Sequence, residues 1–289
     1  MKLLNQDLPP EVPRAEKLKA LILDWAGTTV DFGSVAPVKT LDKVFTETGI
    51  QLTESEIRRG MGLPKKDHIR GLLLLTRVSD AWKELHGRAP SASDVEEIYQ
   101  RFIPLQLSCL AEYSSLIPGV VDSVRRFRER GLKIGSDTGY TRAMLDLLVE
   151  QSAKAGYRPD CSIAPEDVGV GRPEPFMIYE NAVRLQVYPL ASIAKVGDTP
   201  ADIQEGLNAG TWSIGIVGTG NGIGLSYEEF QALSPGDRRS RLQNARSELE
   251  RAGAHYVVDT LAELNAVLDD IDARLKSGGR STRAQSEGA

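Results

Sequence analysis

Cysteine and histidine are scarce in this chain, and each scarcity removes a class of protein. Two cysteines in 289 residues, Cys109 and Cys161, cannot build a disulfide framework, so the expected compartment is the reducing cytoplasm. Three histidines (His68, His86 and His255) and no cysteine at metal-ligand spacing argue against a zinc site. Long apolar runs are missing too. The longest, Leu72 to Leu75, falls far short of the ~20 apolar residues that span a bilayer. Met1 to Lys19 mixes Pro9, Pro10 and Pro13 with charges and lacks an apolar core, so no signal peptide is expected. An excess of positive charge is also lacking: 35 Lys and Arg against 40 Asp and Glu give a net charge of −5. That balance argues against a nucleic-acid partner, and the spacing of Arg125, Arg126, Arg128 and Arg130 suggests a solvated helix face.

What remains is a globular chain, 41% hydrophobic and 26% charged, long enough for a sizeable core. Short apolar runs alternate with helical patterns, which predicts an α/β fold built on a parallel sheet with crossover helices. Candidate strands are Lys19–Asp24, Lys133–Ser136, Cys161–Ala164, Ala194–Asp198, Trp212–Val217 and His255–Val258. Val120, Val121, Val124 and Phe127 mark one helix face, and Leu261, Leu264, Leu268, Ile271 and Leu275 another. Residues 38–112 contain no convincing strand. Leu41, Val44 and Phe45 form an apolar face stopped by Gly49, Thr53 to Glu56 is a capping-box start, and Ser93 to Glu96 reads as a second. The expected organisation is an N-terminal extension (1–17), an α/β core (18–33 and 113–276), an all-helical cap (34–112) and a disordered tail (277–289). Hinges near Gly33–Pro37 and Ile117–Pro118 would let the cap close over the sheet edge and exclude water.

Several polar segments interrupt this apolar pattern. Leu21-Ile22-Leu23 stops at Asp24 and breaks into Gly27, which puts a carboxylate at the carboxyl end of a strand, where open α/β sheets bind ligands. An aspartate there can also serve only the turn. Ile134 to Tyr140 ends a strand in Ser136, Thr138 and Gly139, suited to donating to a phosphoryl oxygen or simply to turning into a helix. Gly171-Arg172-Pro173 locks a planar bidentate cation in a stiff loop. Asp198 and Asp202 flank a strand-to-helix corner where hard oxygens could hold Mg²⁺, although Asp202 alone would also complement the helix dipole. In the helical block, Met61-Gly62-Leu63-Pro64-Lys65-Lys66-Asp67-His68 offers an amine that would be an ordinary solvated lysine on most proteins.

Taken in order, Asp24-x-x-Gly-Thr, the Thr138 segment, Arg172 and Asp198/Asp202 resemble the successive motifs of the haloacid dehalogenase superfamily. Met61-Gly62-x-x-Lys65-x-Asp67-His68, with Ala26 where most phosphatases of that superfamily carry an acid–base aspartate, resembles its phosphonatase family, the phosphonoacetaldehyde hydrolases. The resemblance runs from about Leu18 to Ile271. It implies a Rossmann-like core with a helical cap, Mg²⁺, a homodimer, and cleavage of a carbon–phosphorus bond. Asp24 would be the nucleophile, Lys65 would form an imine with the substrate aldehyde, and His68 would be a proton shuttle or a structural histidine. Met61, Gly62, Thr138, Tyr140 and Arg172 would contact substrate. Asp24, the Ala26 carbonyl and Asp198 would hold the metal, with Asp202 in contact or just behind. A protonated imine lets carbon depart as a neutral enamine, so no acid is needed beside the nucleophile and Ala26 becomes intelligible. Two positions depart from the family pattern: Ser34 stands where a cysteine is frequent, and Asp137 where a neutral hydroxyl residue is familiar, so Asp137 is expected to point away from the site. The alternatives are a phosphomonoester phosphatase or sugar phosphomutase, and a non-catalytic protein that binds phosphorylated ligands.

Overall fold

The computed structural model describes residues 14–279, so the chain up to residue 13 and the end of the tail lie outside the described residues. Six parallel strands form one sheet: β1 (Ala20–Leu23), β2 (Lys133–Asp137), β3 (Cys161–Ile163), β4 (Ile193–Gly197), β5 (Trp212–Ile216) and β6 (Tyr256–Val258), in the order β3-β2-β1-β4-β5-β6. Each lies within one residue of an apolar run predicted above. Those runs are legible because helices cover both faces of a parallel sheet, and strands β1, β4 and β5 are buried at every position.

After β1 the chain leaves the sheet for a run of helices that begins with α1 (Val35–Glu47), α2 (Glu54–Arg58), α3 (Lys65–Leu74), α4 (Thr76–His86) and α5 (Ala92–Leu110). They pack on one another through Leu41, Phe45, Ile69, Leu73, Trp82 and Phe102, all buried. The capping box of α2 forms as expected, with the Glu56 carboxylate accepting from the Thr53 N–H at 2.8 Å. That of α5 forms two residues earlier than expected. Ser91, not Ser93, is the N-cap, and Asp94 accepts the Ser91 N–H at 2.7 Å and its hydroxyl at 2.6 Å. Asp94 satisfies the motif from the third helical position, a place Glu96 cannot reach.

The remaining helices are α6 (Val120–Glu129), α7 (Arg142–Lys154), α8 (Pro165–Val168), α9 (Phe176–Leu185), α10 (Pro200–Ala209), α11 (Tyr227–Ala232), α12 (Pro235–Arg251) and α13 (Leu264–Lys276). In α6, Val120, Ser123, Val124 and Phe127 face the core, but Val121 is exposed, because one face of a helix cannot hold two successive residues equally. Strand order decides where the site lies. From β1 the sheet grows through β2 and β3 on one side, then the chain returns to place β4 on the other. The carboxyl ends of β1 and β4 flank this switch point, with Leu23 opposite Val196 and the Asp24 N–H bonded to the Val196 carbonyl at 2.9 Å. Asp24 and Asp198 follow these two strands and come side by side.

Candidate active site

Beyond the switch point lies a small cavity lined from the sheet side by Asp24, Ala26, Thr138, Tyr140 and Arg172 and from the helical block by Met61, Gly62 and Lys65. The turn before α3 is seated tightly on the core. Gly62 has φ +87°, and a Cβ there would lie 2.2 Å from the Thr199 hydroxyl oxygen, so only glycine permits this approach. Of the residues expected at the site, His68 and Asp202 do not line the cavity, nor does Asp198, which stands behind Asp24.

Asp24 is buried, and its carboxyl is pushed up to about 6 by burial and by Asp202, against the opposing pull of Arg172 and Lys195. Arg172 lies 2.8 Å from Asp24 Oδ1 and 2.9 Å from Asp202 Oδ1, and it also pairs with Asp137 and with Glu205. The Thr138 hydroxyl oxygen accepts the Tyr140 N–H at 3.1 Å, which leaves its own hydrogen free to donate into the cavity. Ser34 also lines the cavity, in left-handed backbone at φ 50°.

Lys65 is the first residue of α3 and is buried, with its Nζ 5.0 Å from the centroid of the Tyr140 ring. Burial, helped by Arg172, outweighs the pull of Asp24 and Asp198, so the amine is pushed down to about 8. His68, one turn on, has Nε2 2.7 Å from the Ile57 carbonyl oxygen. A carbonyl only accepts, so Nε2 carries the proton and Nδ1 is a buried lone pair without a hydrogen-bond partner among the described residues. Burial and Lys65 push this imidazole down to about 3, which keeps it neutral.

The carboxylates of Asp24, Asp198 and Asp202 each bring an oxygen within 4.8 Å of the others. Burial, Asp24 and Asp202 drive the Asp198 acid well up, the signature of a like-charged cluster that a divalent cation would relieve. Asp198 Oδ1 accepts the Thr28 hydroxyl at 3.2 Å and Oδ2 the Asn221 N–H at 2.6 Å, leaving lone pairs for a metal. Asp202 is more fully engaged. Its Oδ2 accepts the Thr199 hydroxyl at 2.6 Å as part of the α10 capping box, and its Oδ1 faces Arg172 and Lys195. It therefore serves the helix terminus and the charge cluster at once. Hard, buried oxygens in this number fit a divalent metal.

Sequence reasoning passed over Lys195, Glu205 and Asn221. Lys195 is wholly buried mid-strand and pairs with Asp137, Asp202 and Glu205. A lone lysine within an apolar strand covered on both faces was the available signal, since such a charge must find partners. Asp137, as expected, does not line the cavity: it turns into this buried cluster behind Arg172. Glu205, among these carboxylates, is pushed up to about 8 by burial and by Asp137.

Residues 18–210 match the family model for haloacid dehalogenase-like hydrolases. A phosphonoacetaldehyde hydrolase from Syntrophobacter fumaroxidans is 44% identical over 266 residues, covering 92% of this chain and 96% of the relative. One from Bacillus cereus is 41% identical over 256 residues, covering 89% and 97%. The crystal structure of a phosphonoacetaldehyde hydrolase-like protein from Oleispira antarctica superposes with a TM-score of 0.91 at 39% identity, covering 95% of this chain and 99% of that one.

Proposed function

The chain belongs to the haloacid dehalogenase-like hydrolases and, among them, to the phosphonoacetaldehyde hydrolases, and from that premise we propose how its side chains break the carbon–phosphorus bond. The substrate is a small phosphonate aldehyde, and the products are acetaldehyde and phosphate. The neutral amine of Lys65 attacks the aldehyde carbon and, with loss of water, forms an imine that takes up a proton. Asp24 then attacks phosphorus. The electrons of the breaking P–C bond move into the iminium, so carbon leaves as a neutral enamine and phosphorus stays on the Asp24 oxygen. Protonation of the enamine and addition of water release acetaldehyde and restore Lys65, and a second water hydrolyses the aspartyl-phosphate.

Arg172 orients Asp24 through their 2.8 Å contact and offers positive charge to the phosphonate oxygens, with the Thr138 hydroxyl as a further donor. The Tyr140 ring beneath Lys65 steadies the cationic iminium. Met61 and Gly62 enclose the aldehyde end. His68, fixed to Ile57 and kept neutral, holds the turn that carries Met61 and Gly62; in this reading its shuttle role is confined to the Nδ1 lone pair. Mg²⁺ is the proposed metal, held by Asp24, the Ala26 carbonyl and Asp198 with Asp202 behind, and it would screen the carboxylate nucleophile from the phosphonate. Residues 34–112 act as a cap whose seating excludes water, and the family resemblance supports a homodimer in the cytoplasm.

One observation carries this reading: Lys65, buried and with a depressed affinity for protons, faces the same cavity as Asp24, and Asp24 is the only carboxylate lining it among the described residues. Ester cleavage by a phosphatase or phosphomutase needs an acid for the leaving oxygen, and Ala26 offers none. Phosphate and acetaldehyde release from phosphonoacetaldehyde, with and without Lys65→Ala, is the test. Loss of both products is expected; full activity in the variant overturns the mechanism.

A further inference from the structure

We propose that Arg58 and Asn221 form a clasp that ties the seating of the helical block to the orientation of the Asp198 carboxylate, making Arg58 a positioning residue for the cation site. The inference rests on the reading that Asp198 holds the divalent ion.

Arg58 ends the short helix α2, outside the cavity lining, and its side chain is 14% exposed. One guanidinium nitrogen, Nη1, donates to the Gly33 carbonyl at 3.1 Å, the Asn221 carbonyl at 3.3 Å and Asn221 Oδ1 at 3.0 Å. The other, Nη2, donates to the Gly224 carbonyl at 3.0 Å, and Nε pairs with Glu54 at 2.7 Å. Asn221 Nδ2 answers by donating to the Arg58 carbonyl at 3.3 Å. The guanidinium lies so close to the loop that a Cβ at Gly224 would meet its Nε at 2.8 Å. Charge-assisted bonds of this kind, sheltered from water, are the strong ones.

The loop receiving Arg58 follows β5 and carries glycine at alternate positions from Gly218 to Gly224. Such a segment is costly to order, so its external ties decide its conformation. The Thr219 hydroxyl donates to the Gly27 carbonyl at 2.7 Å, and the Gly33 N–H donates to the Thr219 carbonyl at 2.8 Å. Asn221 provides the tie to the reaction centre, through its N–H on Asp198 Oδ2 at 2.6 Å. One buried residue is thus gripped by the helical block through its two oxygens and grips the catalytic carboxylate through its nitrogen. Releasing Arg58 frees the loop and loosens a hydrogen bond that orients Asp198. By reciprocity, a cation on Asp198 favours the seated block.

The test uses the full chain without substrate. Mg²⁺ is titrated calorimetrically into wild type, Arg58→Ala, Asn221→Ala (which keeps the N–H to Asp198) and the double variant, with thermal melts and KM and kcat alongside. Arg58→Ala is expected to weaken Mg²⁺ binding by about tenfold, within the usual span of coupling between sites, and to raise KM. Asn221→Ala should fall between it and wild type, and the double variant should be no weaker than Arg58→Ala. Arg58→Lys, a point charge without the planar fork, should recover little. Mg²⁺ affinity and KM unchanged in Arg58→Ala, with only the melt lowered, would show a merely structural contact and overturn the clasp. Should Arg58→Ala fail to fold, unchanged affinity in Asn221→Ala overturns it equally. A wild type that binds no Mg²⁺ instead overturns the cation reading itself.

Discussion

The protonation of Lys65 can be measured apart from the carbon–phosphorus chemistry. Acetaldehyde, the product, condenses with a neutral amine, and borohydride reduces the imine to a stable N-ethyl group that peptide mass spectrometry can locate. Burial moves this amine from 10.5 to about 8, which corresponds to about 3 kcal/mol against the charged form. At pH 7 roughly one molecule in ten then carries the free amine, against roughly one in three thousand for an ordinary lysine. Ethylation of Lys65 should rise about tenfold per pH unit from pH 6 and level off near pH 8. Asp24→Asn supplies a second arm. Asp24 is the foremost charge holding the proton on Lys65, so removing it should move the levelling point below 8. Lys66 serves as the internal control, because its side chain is 45% exposed and paired with Glu96. A midpoint near 10 for Lys65, or equal rates at the two lysines, would refute the argument.

Two further outcomes follow from the same geometry. Without metal, Glu205 at about 8 keeps a proton in the folded state that the unfolded chain has already lost, and burial with Asp24 and Asp202 shifts Asp198 in the same direction. His68, at about 3, pulls the other way only below its ordinary value of 6.5, and Lys65 only above about 8. Between pH 6.5 and 8 the chelated protein should therefore lose about 1.4 kcal/mol of stability per pH unit for each such proton. Millimolar Mg²⁺ should flatten this slope, and denaturant melts at several pH values would read it; stability that rises over this window speaks against the assignment. Gly62→Ala should lower kcat by about a hundredfold, the usual cost of a 1 Å misplacement, because the new Cβ would meet Thr199 Oγ1 at 2.2 Å in a backbone of φ +87°. Phosphate release within threefold of wild type would show that the turn does not need this close approach.

The sequence by itself determined the sheet, the place of the Asp24 carboxylate and the family to which the chain belongs. Buried parallel strands are continuous apolar runs, so each could be read within one residue, and Asp24, Arg172 and Asp198 stand where such runs or stiff loops end. Ala26 beside Asp24, with Lys65 in the helical insertion, narrowed the reaction through the family resemblance those residues carry. Only the tertiary structure decided how the charges are partnered. Lys195 meets Asp137 because β4 and β2 flank β1. Asp202 divides its oxygens between its own helix cap and two cations. His68 proved tied to Ile57, and Arg58 found Asn221 from a distant part of the chain. Periodicity reports which side of an element is buried and says nothing of what lies across from it. Strand order and the seating of the helical block fix those long-range pairs, and with them the proton affinities on which the chemistry depends.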